Sequence, residues 1–340
     1  MLNIGVCGYY GMGNFGDDLF LKTFKQIFHN HNVFPWSAFV DPNQIDAVII
    51  GGGDLITPYY YNQYYFPPLL ENHPTWIYGV GVVDHYNEDT WPVEQIDRHR
   101  QRLSKAKKVY LRDDNSARIF KKYNLHKEVK VAPDVVFAYE QPKYPIRKYA
   151  GVETIGICVS SYDDFPFQKI VNLLVKLTQK GYHVFLIPVV NQSNNKYSDY
   201  TLCKNIRNAL LESNPRAAVT LPYNEYDLEM TYSLIQSVDY LISFKLHPAL
   251  VAIRNEIPTF CFSKMSKVKS LLKMFHLEDF SSDFEIPEQD MIEKVLHFLN
   301  LEKDKFSNIK SQVELVESNS MRNLLELKED IEKTIKKGSS

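Results

Sequence analysis

Short apolar runs recur along this chain, and between them lie stretches whose apolar residues repeat with helical spacing. A buried strand whose successor arrives through a helix pairs with it in parallel, because the helix carries the chain back to the starting edge. That alternation restricts the chain to parallel sheets with helices on both faces. In the first half the strand runs fall at 2–7, 46–50, 76–82, 109–113 and 129–134, with a helix over 115–123. The second half repeats the pattern: strands at 154–159, 183–190, 218–221, 240–243 and 258–262 alternate with helices at 167–180, 200–211, 225–236 and 247–254.

Between the first strand and its helix (expected over 17–28) the chain reads Gly8-Tyr9-Tyr10-Gly11-Met12-Gly13-Asn14-Phe15-Gly16-Asp17-Asp18. Glycines this dense permit positive φ and close approach of a ligand to the main chain. The helix N-terminus behind them favours an anion or polar group. Gly11, Gly13 and Gly16 also satisfy the G-x-G-x-x-G spacing of a dinucleotide site. Asp17 and Asp18 argue against it, since they stand where a pyrophosphate would rest. Phosphate binding of the Walker type is excluded, because no Gly-Lys-Ser/Thr follows. Asp17 and Asp18 are therefore read as a base, a ligand for a hydroxyl, or plain helix caps.

At 340 residues the chain suits two domains, and 44% hydrophobic content supplies their cores. A net charge of −2 argues against a broad basic face for nucleic acid. From Glu302 onward the chain is charged, with a sparse apolar stripe, and reads as helices packed on the body. Residues 141–151, rich in Pro, Lys and Tyr, read as a linker. The expected division is 1–140, linker 141–151, 152–300 and terminal helices 301–340. Four cysteines without a C-x-x-C pair, three of them in apolar runs, imply reduced buried thiols. With no leader pattern at the N-terminus and no run of about 20 apolar residues, the expected location is cytoplasmic. A membrane-bound substrate, met peripherally at the inner face, is compatible with that. Tyr59 to Phe66 is an aromatic segment with two readings: a loop that stacks on sugar rings or rests on lipid headgroups, or a cluster that covers a sheet edge or a dimer contact.

Three other stretches carry chemistry. Gly51-Gly52-Gly53-Asp54 closes an apolar run, which points to close backbone approach with Asp54 beside it. Ser243-Phe244-Lys245-Leu246-His247-Pro248 joins a cation, an imidazole and a helix N-terminus, an arrangement suited to phosphate or carboxylate. Arg112-Asp113 and Asp134 end two strands, where Arg112 either meets substrate or clasps a neighbouring carboxylate. The remaining histidines, among them His29, His31, His73, His85, His99 and His183, show no metal-ligand spacing. No metal is expected.

Taken together and in order, Tyr9-Tyr10-Gly11-x-Gly13-Asn14-x-Gly16-Asp17-Asp18, Gly51-Gly52-Gly53-Asp54, Arg112-Asp113-x-x-Ser116-Ala117, Pro133-Asp134 and Lys245-Leu246-His247 resemble the polysaccharide pyruvyl transferase family. The resemblance covers roughly residues 1–265. It implies a GT-B-like α/β fold of two Rossmann-like domains facing across a cleft, the acceptor on the N-terminal side and the donor on the C-terminal side. It also implies transfer of the enolpyruvyl-derived group of phosphoenolpyruvate to a sugar of a cell-surface polysaccharide precursor, as a pyruvate ketal, with phosphate released. No cofactor is implied; phosphoenolpyruvate is the donor substrate and a lipid-linked or nucleotide-linked sugar the acceptor. By this resemblance His247 binds phosphate or delivers a proton, and Asp17, Asp18 or Asp54 deprotonates or orients the sugar. Gly11, Gly13, Asn14, Gly16, Gly52, Gly53, Arg112, Lys245 and Leu246 line the substrates. Two departures stand out. Lys245 replaces the family's usual Arg, losing its bidentate fork, and the strand ending at Ser160 lacks the Arg that many members carry there. The alternatives are a GT-B glycosyltransferase whose Lys245 and His247 hold the diphosphate of a nucleotide sugar, and a non-catalytic glycan-binding member of the family.

Overall fold

The structure is a computed structural model. It describes all residues except 84–87, 148–150, 162–163, 192–197, 223–226, 302–305, 307 and 339–340. His85, part of the 141–151 linker, the start of the helix expected at 225 and parts of the terminal 301–340 segment therefore lie outside the described residues.

Two compact units form: residues 1–11, 17–140 and 314–340 in the first, and 12–16 with 141–313 in the second. This division departs from the sequence-based one at both ends. Met12 to Gly16 pack with the second unit, and the last helix from Glu314 packs with the first.

The first unit is a six-stranded sheet in which every pairing is parallel. Its strands are β1 (Asn3–Cys7), β2 (Asn32–Pro35), β3 (Ala47–Ile56), β4 (Thr75–Val82), β5 (Val109–Leu111) and β6 (Lys130–Val131), in the order β2-β1-β3-β4-β5-β6. Its helices are α1 (Phe15–Ile27), α2 (Val93–Leu103) and α3 (Asp114–Lys122). Helix α1 begins two residues earlier than expected. Strand β3 differs more. It runs through Gly51–Gly53 and Asp54 to Ile56 instead of ending before them, with a register shift against β4 between Gly53 and Ile56.

The second unit holds β7 (Thr154–Cys158), α4 (Phe167–Gln179), β8 (His183–Leu186), α5 (Asp199–Ser213), β9 (Val219–Thr220), α6 (Leu228–Ser237), β10 (Tyr240–Ser243), α7 (Leu246–Arg254), β11 (Thr259–Phe262), α8 (Ser266–Met274), β12 (Ser281–Ser282) and α9 (Glu288–Asn300). The sheet order is β12-β11-β10-β7-β8-β9, again parallel throughout. Both faces of β7 and β10 are buried, which is why these strands read as unbroken apolar runs.

Helix α10 (Lys310–Gly338) closes the chain. Val316, Leu324, Leu327 and Ile331 form its buried stripe. Its polar side meets the first sheet: Asp330 accepts the Trp76 indole N–H at 2.7 Å and pairs with Lys108 at 2.7 Å, and Lys130 meets Glu326 at 2.9 Å. All four cysteines are buried free thiols. Burial pushes those of Cys7 and Cys261 up to about 12, so they are inert at neutral pH. Among the described residues no helix is long and apolar enough to cross a membrane.

Candidate functional site

Topology places a site in each unit before any side chain is considered. In an open parallel sheet, ligands bind outside the carboxyl ends of the strands where the strand order reverses. In the first unit that point lies between β1 and β3, which lead to the glycine loop and through Gly51–Asp54. In the second it lies between β7 and β10, which lead to Ser160 and to Lys245–His247.

In the first unit, Asp17 stands in the opening turn of α1. A Cβ at Gly53, which has φ +78°, would lie 2.8 Å from its Oδ1, so only glycine admits the carboxylate there. Asp18 serves the loop instead. Its Oδ1 accepts the Gly11 backbone N–H at 2.7 Å and folds the loop onto the helix. Asp18 thus has a local role in the loop beside any part it plays in chemistry. Tyr10 is buried and its hydroxyl donates to the Gly51 carbonyl. Burial, then the neighbouring charges of Asp17, Cys7 and Asp18, hold this phenol well above its ordinary value.

Asp54 pairs with Arg112, Nη2 to Oδ1 at 2.5 Å, and a Cβ at Gly81 would collide with both groups. Arg112 also lies 3.6 Å from Asp113, whose carboxylate caps α3 by accepting the Ser116 N–H at 2.7 Å. Burial opposes the Arg112 charge. The carboxylates of Asp54, Asp113 and Asp134 outweigh it and hold the guanidinium above its ordinary range. Arg112 thus clasps Asp54 and Asp113. Asp134, itself buried, caps the following turn through the Val136 N–H at 3.0 Å.

In the second unit the chain segment 12–16 is docked by its backbone. The Phe15 N–H donates to the Val189 carbonyl at 2.9 Å, the Asn191 N–H to the Gly13 carbonyl at 2.8 Å, and Asn14 bridges Val190. The Asn14 side chain turns inward to accept the Gly16 N–H at 3.1 Å. His247 occupies the second position of α7, and its imidazole lies flush against Gly16; any Cβ there would overlap the ring. Gly16 thus makes room for His247. Gly52 likewise accommodates Phe20, whereas Gly11 opens onto empty space.

Lys245, expected beside an anion, is met by a carboxylate of its own chain. Its Nζ is held by both oxygens of Asp199, at 2.9 and 2.8 Å. Asp199 is fully buried and also accepts the N–H groups of Val189 and Val190 at 3.2 and 2.8 Å. The lysine charge is committed to fixing the turn on which segment 12–16 docks. Leu246 is a buried core residue of the first helical turn. The N-terminus of α7 carries His247 in its first turn. Ser243 frames that terminus, its hydroxyl donating to the Lys245 carbonyl at 2.7 Å and accepting the Lys245 N–H at 3.1 Å. Ser160, where the family's second Arg is missing, is buried with its hydroxyl unbonded among the described residues. Asp199 is a site residue that sequence reasoning misses, although Ser198-Asp199 is a helix-start signal.

Residues 14–264 match the family described as polysaccharide pyruvyl transferase, and the chain belongs to that family. It is accordingly a transferase of polysaccharide biosynthesis, with the α/β GT-B-like fold its motifs implied. Similar solved structures include a Listeria monocytogenes protein assigned as a UDP-N-acetylglucosamine 2-epimerase (TM-score 0.65, 8% identity, covering 97% of this chain and 96% of the other). Another is the sucrose-phosphate synthase of Thermosynechococcus elongatus (0.64, 8% identity, 98% and 100%). A third is the UDP-GlcNAc 2-epimerase of Neisseria meningitidis (0.61, 10% identity, 96% and 99%). Among curated proteins none matches by sequence.

Proposed function

We propose that this protein transfers the enolpyruvyl-derived group of phosphoenolpyruvate to two hydroxyls of one sugar in a cell-surface polysaccharide precursor. The products are a cyclic pyruvate ketal and inorganic phosphate. The observation that carries the proposal is His247: an imidazole in the first turn of α7, at the switch point of the second sheet, seated against the one residue type that admits it. A helix N-terminus and an imidazole suit a phosphate. The imidazole is also suited to passing a proton.

In the reaction a proton is added to the C3 methylene and leaves C2 oxocarbenium-like. The first sugar hydroxyl adds there and loses its proton. Departure of phosphate restores the cation, and the second hydroxyl adds and loses its own proton. Two protons leave the sugar; one ends on the new methyl group and one on phosphate. His247 is assigned to phosphate binding and proton delivery, and Asp17 to the sugar hydroxyl. Asp54, aimed by Arg112, orients the acceptor, while Lys245 acts by positioning. The acceptor is a lipid-linked or nucleotide-linked sugar, met in the cytoplasm, with peripheral contact at the membrane where it is lipid-linked. No cofactor takes part.

The test is acceptor-dependent release of phosphate from phosphoenolpyruvate across a panel of such sugars. His247→Ala is expected to lower turnover by about 100-fold or more. Turnover within a few-fold of the parent would remove His247 from the chemistry. Release of nucleotide from a UDP-sugar, with none of phosphate, would establish the glycosyltransferase alternative.

A further inference from the structure

A pocket of about 240 Å³ lies in the first unit, between the aromatic segment after β3 and helix α2. It is built from the residues that make that segment conspicuous. Tyr61 and Phe66 stack at 5.3 Å with 24° between their planes, and both pack edge-on to the fully buried His99 of α2. Pro67 and Pro68 continue the flat wall, and the amides of Gln63 and Gln101 stand at the rim.

At the base is Arg102, only 4% exposed. Its Nη2 donates to the Leu70 carbonyl at 3.2 Å and the Thr75 hydroxyl at 3.4 Å, and its Nη1 to the Glu71 carbonyl at 3.5 Å. Every one of these acceptors is neutral, and the Nε atom has no partner among the described residues. The carboxylate of Glu71 is turned to Lys105 at 2.6 Å. The contrast with Arg112 is direct. Three carboxylates raise Arg112, whereas burial pulls Arg102 down from the ordinary guanidinium range. Glu71 acts on Arg102 only from a distance, and a buried cation without a directly bonded counter-charge is costly unless an anion completes it. Arg98, also lining the pocket, is paired with Glu94 at 3.2 Å.

We propose that this pocket binds an acidic sugar unit, its carboxylate or phosphate on Arg102, its ring against Tyr61 and the prolines, and its hydroxyls on Gln63 and Gln101. The volume suits a single ring and excludes a nucleotide sugar. The assignment of the ring as a sugar rests on the polysaccharide reading of the family; the anion site rests on Arg102 alone.

The probes are glucuronate and glucose 6-phosphate, with glucose as the neutral control, titrated into the full chain while the side-chain amide signals of Gln63 and Gln101 are followed by NMR. Both acids are expected to shift these signals saturably, glucose about tenfold more weakly or not at all. Gln101→Glu, an exposed change, is expected to weaken both acids by about tenfold, and Arg102→Lys to weaken them in a folded protein. A response to only one acid fixes carboxylate or phosphate as the source. Equal responses to glucose and the acids, no response, or an unaltered response in Gln101→Glu would overturn the proposal. A response to phosphoenolpyruvate measured in the same samples separates the two readings: its loss with sugar binding intact sinks the pyruvyl transfer, and the reverse sinks only the pocket.

Discussion

At the scale of single residues, Lys245 illustrates how a motif can keep its charge and change its role. Its spacing to His247 suggests a shared anion site, yet its ammonium is bound by the carboxylate of Asp199, 46 positions earlier in the chain. That partner is legible in no local pattern, because Asp199 and Lys245 meet only once the starts of α5 and α7 come together in the folded unit. Removing Lys245 strands the fully buried Asp199 charge. Lys245→Ala should therefore destabilise the protein by about 3–5 kcal/mol, and adding Asp199→Ala should recover most of it. Urea denaturation of the two single variants and the double variant gives the coupling. A Lys245→Ala protein as stable as its parent would return the lysine to the substrate. The glycines are legible as constraints but not in their cause: Gly16 and Gly53 make room for His247 and Asp17, which no spacing announces.

Among the elements, the long apolar strands are readable and the helices with polar interiors are not. Helix α2 turns Ile96, His99, Arg102 and Leu103 inward, so half its buried stripe is ionisable and its periodicity is disguised. Strand β2, four residues ending in Pro35, offers too little pattern to be found. Strand β3 reads short in the sequence because three glycines look like an end, although the pairing with β4 continues past them. The polar interior of α2 has a consequence for pH. His99 is fully buried, and burial lowers its pKa from 6.5 to about 4 against the opposing hydrogen bonds to the Thr57 and Tyr60 backbone. The unfolded chain binds this proton first. The neutral histidine's contribution is therefore complete above pH 6.5 and lost as pH falls toward 4, about 2 kcal/mol of it by pH 5. His99→Gln should flatten the fall in urea midpoint between pH 7 and pH 5. An undiminished slope would assign the acid sensitivity to other groups, such as His183, which burial also lowers.

Over the whole molecule, strand–helix alternation is enough to give two parallel sheets, since parallel pairing leaves few other arrangements. The exchange of Met12–Gly16 and of most of α10 between the units is not legible. It depends on backbone pairing at Val189–Asn191 and on ion pairs such as Lys108–Asp330 that form only once distant segments meet. The proposed function rests above all on His247 and the α7 terminus holding the phosphate of phosphoenolpyruvate. Thermal shift of the parent and of His247→Ala with phosphoenolpyruvate, phosphate and UDP-sugars measures this without needing the acceptor. A ligand at a hundred times its Kd stabilises by about 2.7 kcal/mol, well within reach of the method. The expected result is a shift with phosphoenolpyruvate in the parent that is lost in His247→Ala while the unliganded variant remains folded. A shift given by UDP-sugars alone, or one with phosphoenolpyruvate that survives the substitution, would refute the assignment.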